Sequence, residues 1–452
     1  MRDPERSCDL AAVRPACSWG ISRLVVGAVI AVLLGLPGTA AASAVAPNAD
    51  DGRWYYSATG LAELHERTTG DGITVALLDG PVNPAVADLA GADIQPHEPS
   101  YCAAEQGGAA YPATSAGADA EHSTSIATML AGQDVGIGNE RGIPGVAPGV
   151  TLRTYAIIVD GAPCETPAGQ EHRQDDAFRD ALADGADIIA VPGNNNFSAT
   201  AIAEALRAGA IVVAAGGNDG ALSGLPAGFN GVLSVGTVTP DVTLAEGSPY
   251  GEGLGAVAPG AFIRELLPTW DTYWMTTGSS NATAYTAGAL ALLWSLYPEA
   301  TSGQLLQALI HTTDGRVSEA PAQDAAWGYG TVSPRALLSV DPTTYPDENP
   351  FLLADEDAAP SIAEVLGTPA ESASAEPADA RADHTGPEDQ SEVDVAAQTD
   401  AAGTPWAAIV GGTAAIILVG GGLAIVLARR RGHRSDLHSA HDAPPAAFRG
   451  NR

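Results

Sequence analysis

Four short runs constrain this chain more than any other feature: Ile73-Thr74-Val75-Ala76-Leu77-Leu78, Asp187-Ile188-Ile189-Ala190-Val191, Ala210-Ile211-Val212-Val213-Ala214-Ala215 and Gly231-Val232-Leu233-Ser234-Val235. Each is rich in β-branched residues and none alternates polar with apolar positions, so a strand built from it needs cover on both faces. Between the second and third lies a segment with apolar residues at helical spacing, residues 198–207 (SATAIAEALR). Strand, helix and strand at this distance form a βαβ unit. The predicted fold class is therefore α/β, a doubly wound, mostly parallel sheet flanked by helices, with residues 50–340 as the folded body. In such sheets reactive groups collect at the carboxyl ends of the strands, which directs attention to the residues just after each run.

Of the 452 residues 45% are hydrophobic and 17% charged, enough to bury a large core. Acids outnumber bases 54 to 21, a net charge of −33 that argues against a nucleic-acid partner. All the bases are arginines. Without a lysine amine, Schiff-base enzymes, Ser–Lys hydrolases and P-loop nucleotide binders are excluded. Nine histidines and four cysteines show neither CxxC nor HExxH spacing, so no metal site and no cofactor is expected, structural calcium being left open.

The two ends predict a location. Arg14 and Arg23 precede an uncharged run of 13 residues, 24–36, too short for a bilayer about 30 Å thick. Small residues follow, Gly38 to Ala44, so residues 1–44 form a predicted signal peptide, cut after Ala42 or Ala44, with an uncleaved anchor as the competing reading. Residues 406–428 are a second uncharged run, about 35 Å long as a helix and followed at once by Arg429, Arg430 and Arg431. The positive-inside rule makes 429–452 a cytoplasmic tail and puts the body outside, on a single-pass C-terminal transmembrane helix. Residues 341–405 hold sixteen Asp or Glu against one arginine, Arg381, which predicts a disordered acidic stalk rather than a cation site. Signal removal takes Cys8 and Cys17, and Cys102 with Cys164 then read as one disulfide in an oxidising exterior, the alternative being two reduced thiols.

Four side chains stand where the sheet would collect them. Asp79 follows the first run and Asn218, in Gly216-Gly217-Asn218-Asp219-Gly220, follows the third. His122 opens a helical pattern that continues to Leu130, and Ser280 opens another, rich in small residues, through Leu290. Taken singly, each has a bland reading as a turn acid, a capping residue or an asparagine tolerating a left-handed turn. Together they are what acyl transfer needs: a serine to attack, a histidine to take its proton, a carboxylate to orient the imidazole, and an amide to hold the oxyanion.

With these residues in order, the body resembles the subtilisin-like serine proteases. Gly72 to Asp79 matches the family's first strand ending in Asp-Thr-Gly, and His122-Ser123-Thr124 its His-Gly-Thr. Gly145-Val146-Ala147-Pro148-Gly149 and Val213-Ala214-Ala215-Gly216-Gly217-Asn218 match further segments, as do Leu225-Pro226-Ala227, Val232 to Gly236, Ala258-Pro259-Gly260 and Gly328-Tyr329-Gly330. Gly278-Ser279-Ser280-Asn281-Ala282-Thr283-Ala284 lines up with Gly-Thr-Ser-x-Ala-x-Pro. The resemblance implies Ser280 as nucleophile, His122 as base, Asp79 as orienting carboxylate, Asn218 as oxyanion donor, and a polypeptide substrate. Signal, body, stalk and membrane helix together look like the mycosins, which implies association with a type VII secretion complex.

Several positions depart from the pattern. Thr is replaced by Gly80, Gly by Ser123, the motif proline by Ala284, and the substrate-pairing Ser-x-Gly by Pro192-Gly193-Asn194, where proline donates no hydrogen bond. Ser123 adds a Cβ and a hydroxyl beside His122 and is expected to crowd it. These flanks leave a competing reading, a catalytically weak module that acts by binding in a secretion complex. A lipase or other esterase lacks the Gly-x-Ser-x-Gly elbow here.

Overall fold

The structure, a computed structural model, describes residues 50–367 except 223 and 356. Among the described residues eleven strands are formed: β1 (Thr74–Asp79), β2 (Asp93–Pro96), β3 (Gln133–Val135), β4 (Arg141–Pro144), β5 (Thr151–Ala156), β6 (Ile188–Val191), β7 (Ile211–Ala215), β8 (Leu233–Val238), β9 (Ala256–Pro259), β10 (Ala261–Leu266) and β11 (Tyr273–Thr277). Seven make one sheet in the order β2-β5-β1-β6-β7-β8-β9. Every pairing within it is parallel, as the unbroken apolar runs require.

Side chains of successive strand residues enter two separate cores, one on each face. Val75 and Leu77 of β1, with Ile188 and Ala190 of β6, point into one core, which also holds Ile126, Leu130, Tyr285 and Leu290. Ala76 and Leu78, with Ile189 and Val191, point into the other, against Phe178, Phe197 and Ile202. The first core is covered by α1 (Glu121–Ala131) and α4 (Ser279–Leu296), the second by α2 (Arg173–Ala183) and α3 (Ala199–Arg207). Helix α4 is buried along almost its whole length, because small residues such as Ala284, Ala287 and Gly288 let sheet and helix approach closely. At Gly288 an added Cβ would stand 2.7 Å from Val146.

Cys102 and Cys164 are joined, 62 residues apart, tying the loop after β2 to the segment after β5. The antiparallel hairpin β10–β11 stands outside the main sheet. It is pinned by Tyr273, whose hydroxyl reaches both carboxylate oxygens of buried Asp88 at 3.0 and 2.9 Å. At its tip, Trp270 Nε1 donates to Ala116 O at 2.7 Å.

The expected stalk boundary at 341 needs correction. Residues 341–367 are folded onto the body and end in α5 (Ile362–Leu366), which has a Ser361–Glu364 capping box and lies against α3. Asn230 of the body accepts from Leu353 N at 2.7 Å and donates to Leu353 O and Pro360 O at 3.0 Å each. Phe351 and Val365 are buried. An acidic composition hid this segment because its few apolar side chains find their cover, and its backbone its partners, only in tertiary contact. The signal peptide at 1–44, the rest of the stalk, the span at 406–428 and the tail at 429–452 lie outside the described residues. Among the described residues no helix is long and apolar enough to cross a membrane.

Candidate active site

Asp79 ends β1 with its carboxylate 2% exposed, and His122 sits in the first turn of α1, so both side chains meet above the carboxyl edge of the sheet. His122 Nδ1 lies 2.7 Å from Asp79 Oδ2, and on the other side of the ring Nε2 lies 3.1 Å from Ser280 Oγ. Ser280 occupies the first turn of α4, where backbone N–H groups have no intrahelical acceptor and face the cleft with the positive end of the helix dipole. The structure thus brings together the three groups that the sequence places 43 and 158 positions apart.

Asn218 stands at the carboxyl end of β7. Its Oδ1 accepts from Ser279 N at 2.8 Å and from Ser279 Oγ at 3.1 Å. Both acceptor contacts hold the carbonyl end of the amide, which leaves Nδ2 for the cleft. Ser279 Oγ also accepts from Gly217 N at 3.3 Å, so one buried hydroxyl fixes the orientation of the whole turn. Sequence reasoning missed Ser279, although its place beside Ser280 was a usable signal.

Asp79 is the largest cause that raises the His122 pKa, to about 9, against the opposing effect of burial; Glu265 and Asp160 add to the rise. Below that pH the ring is an imidazolium with an N–H on both sides, one toward Asp79 and one toward Ser280 Oγ. The serine hydroxyl then has to donate elsewhere, and it does so to Pro192 O at 2.6 Å. Pro192 directly follows β6, and its carbonyl meets the nucleophile although its nitrogen can donate nothing.

The expected crowding by Ser123 does not displace His122. The reason is the other departure: Ser123 Oγ points at Gly80, where an added Cβ would stand only 2.8 Å from it. Volume absent at position 80 is taken up from position 123. Ser123 is 1% exposed and its hydroxyl has no hydrogen-bond partner, which makes it a space-filling group.

Around the reacting atoms lies a cavity of about 300 Å³, lined among others by His122, Ser280, Asn281, Glu265, Trp274 and Asp160. A larger cavity of about 470 Å³, between Leu225, Phe229 and Phe351, lies away from the triad residues.

An acid–imidazole–hydroxyl relay at the carboxyl edge of a parallel sheet, with a side-chain amide beside the hydroxyl, defines the serine-hydrolase class. The chain belongs to the subtilase family, peptidase S8, whose profile matches residues 70–330, more than half of its length. It is 32% identical to subtilisin DY of Bacillus licheniformis over 209 residues, 41% of this chain and 69% of that protein. It is 29% identical to subtilisin NAT of Bacillus subtilis subsp. natto over 256 residues, 54% of this chain and 61% of the relative. Among solved structures, MycP1 from Mycobacterium smegmatis superposes with a TM-score of 0.51 at 21% identity, over 68% of this chain and 90% of that one. Fervidolysin from Fervidobacterium pennivorans gives 0.51 at 24%, over 65% of this chain and 47% of its own. Both likenesses are likenesses of fold.

Proposed function

We propose that the protein is a membrane-held, extracytoplasmic serine endopeptidase. Ser280 attacks the scissile carbonyl carbon while His122 takes the hydroxyl proton at Nε2, and Asp79 holds Nδ1–H and stabilises the imidazolium. The Asn218 amide and the Ser280 N–H stabilise the oxyanion. His122 returns the proton to the leaving amine, and a water then repeats the steps to release the acid and regenerate Ser280. The observation that carries this reading is the unbroken Asp79–His122–Ser280 chain at 2.7 and 3.1 Å. The reading is strengthened by the orientation of the Asn218 amide. The apolar run 406–428 and the arginines after it support a body held outside the membrane. The mycosin-like order of segments supports a place beside a type VII secretion complex.

Fluorophosphonate labelling of wild type and Ser280→Ala, alongside hydrolysis of an unstructured protein, tests the chemistry. Labelling and cleavage that both vanish in Ser280→Ala are expected. If the wild type neither labels nor cleaves, the protein is a binding module on a protease fold.

A further inference from the structure

Within the cavity beside Ser280, one buried carboxylate has no guanidinium beside it, and among the described residues the only positive charge that acts on it is the His122 imidazolium, beyond ion-pair distance. Glu265, on β10, is 8% exposed, and its partners are neutral donors: Asn281 Nδ2 at 2.8 Å and the Thr276 hydroxyl. It makes no ion pair among the described residues, and no arginine lines the cavity. Burial pushes the Glu265 carboxyl above the ordinary carboxylate range, and a cation bound in the cavity would reverse that shift and offset the cost of the buried charge. A second, independent sign stands at the same wall. Asn281 is 2% exposed, lines the cavity, and leaves its Oδ1 with no hydrogen-bond partner. Asp160 and Glu121 add two more carboxyl groups around the opening, and Trp274, 45% exposed, offers an aromatic face at the rim.

The position of the cavity relative to the chemistry says which part of a substrate would enter. His122 must hand its proton to the leaving nitrogen, so the residue after the scissile bond lies on the histidine side of Ser280. Glu265, Thr276 and Asn281 share one cavity with His122, Ser280 and Asn218, whereas Pro192, Gly193 and Asn194 do not line it, and from this we assign the cavity to the leaving-group side.

Building on the endopeptidase reading, we propose that this cavity is a specificity site for an arginine immediately after the scissile bond. A guanidinium carries planar, forked donors and no acceptor, which suits a carboxylate next to an orphan amide oxygen, and it stacks on an indole where an ammonium is too strongly hydrated to do so equally well. The negative surface of the cleft attracts such a peptide from solution. Substrate binding then completes the hydrogen bonding of Glu265 and Asn281.

Four internally quenched peptides that differ only after the scissile bond, carrying arginine, lysine, glutamine or glutamate, test this with the full-length protein, the cut site being read by mass spectrometry. The arginine peptide should exceed the glutamine peptide in kcat/KM by about 10- to 100-fold, as one or two charge-assisted hydrogen bonds imply, with lysine between them and glutamate last. In Glu265→Gln the arginine-to-glutamine ratio should fall at least about tenfold, and in Trp274→Ala, a surface change, by about threefold. A wild-type ratio near one, or a ratio that neither variant changes, overturns the site. So does fluorophosphonate labelling of Ser280 without cleavage of the arginine peptide. Loss of labelling together with loss of all cleavage would instead remove the endopeptidase reading on which the site rests.

Discussion

Gly80 and Ser123 form a reciprocal pair, and a double-mutant cycle between them tests whether the two departures compensate. Gly80→Thr restores the family's residue but places a Cβ 2.8 Å from Ser123 Oγ and 3.5 Å from Asp119 O. Ser123 is fully enclosed, so the clash is relieved by moving the first turn of α1, at a cost of about 1–3 kcal/mol. That turn carries His122, and a shift approaching 1 Å lowers kcat by roughly 100-fold. Ser123→Gly alone empties a small buried volume and puts glycine in a helix, costing about 1 kcal/mol, and it should not raise turnover because His122 is already in place. The double variant should recover both quantities, with a coupling of about 1–2 kcal/mol. Urea unfolding and hydrolysis of one fluorogenic peptide, measured for the four proteins, give the two cycles. Additivity within about 0.5 kcal/mol in both would refute the compensation.

Activity should rise with pH. His122 must be neutral to act as a base, so kcat/KM should climb as pH passes upward through about 9, where the ring raised by Asp79 loses its proton; a profile already flat from pH 6 would contradict this. Asn218→Ala should lower kcat by about 100- to 1,000-fold with little change in KM, whereas equal changes in both would make Asn218 a ground-state contact. A chain ending at residue 340 loses burial of Phe351 and Val365 and the partners of Asn230, and should be about 3 kcal/mol less stable to urea than one ending at 367. Equal stability of the two would restore the shorter domain boundary.

The sheet and the relay are legible in the sequence for related reasons. A doubly covered strand must be apolar throughout, so Ile73 to Leu78 announces both its type and its depth, and the first polar residue after it, Asp79, marks the strand's reactive end. His122 and Ser280 are visible as polar residues that open otherwise small or apolar helices. Glu265 carries no such mark. It stands in Ala261-Phe262-Ile263-Arg264-Glu265-Leu266, where alternation puts it inward with Ala261 and Ile263, but the run does not show what holds a carboxylate there, since Thr276 and Asn281 from other elements supply its hydrogen bonds. The relation between Gly80 and Ser123 is hidden for the same reason, since each taken alone looks like a loss. Residues 349–367 escape notice because Asn230, far away in sequence, supplies the hydrogen bonds that order them.

Helix α4 has one more consequence. Its amides beyond the first turn are enclosed by the sheet on one side and by α1 and neighbouring helices on the others, so they exchange hydrogen with solvent only when the whole domain opens. The nucleophile is therefore mounted on the last element to yield to heat or denaturant. Exposed loops can open, or be nicked by a neighbouring copy, while Ser280 keeps its place. Inactivation of this protein should report global unfolding rather than precede it.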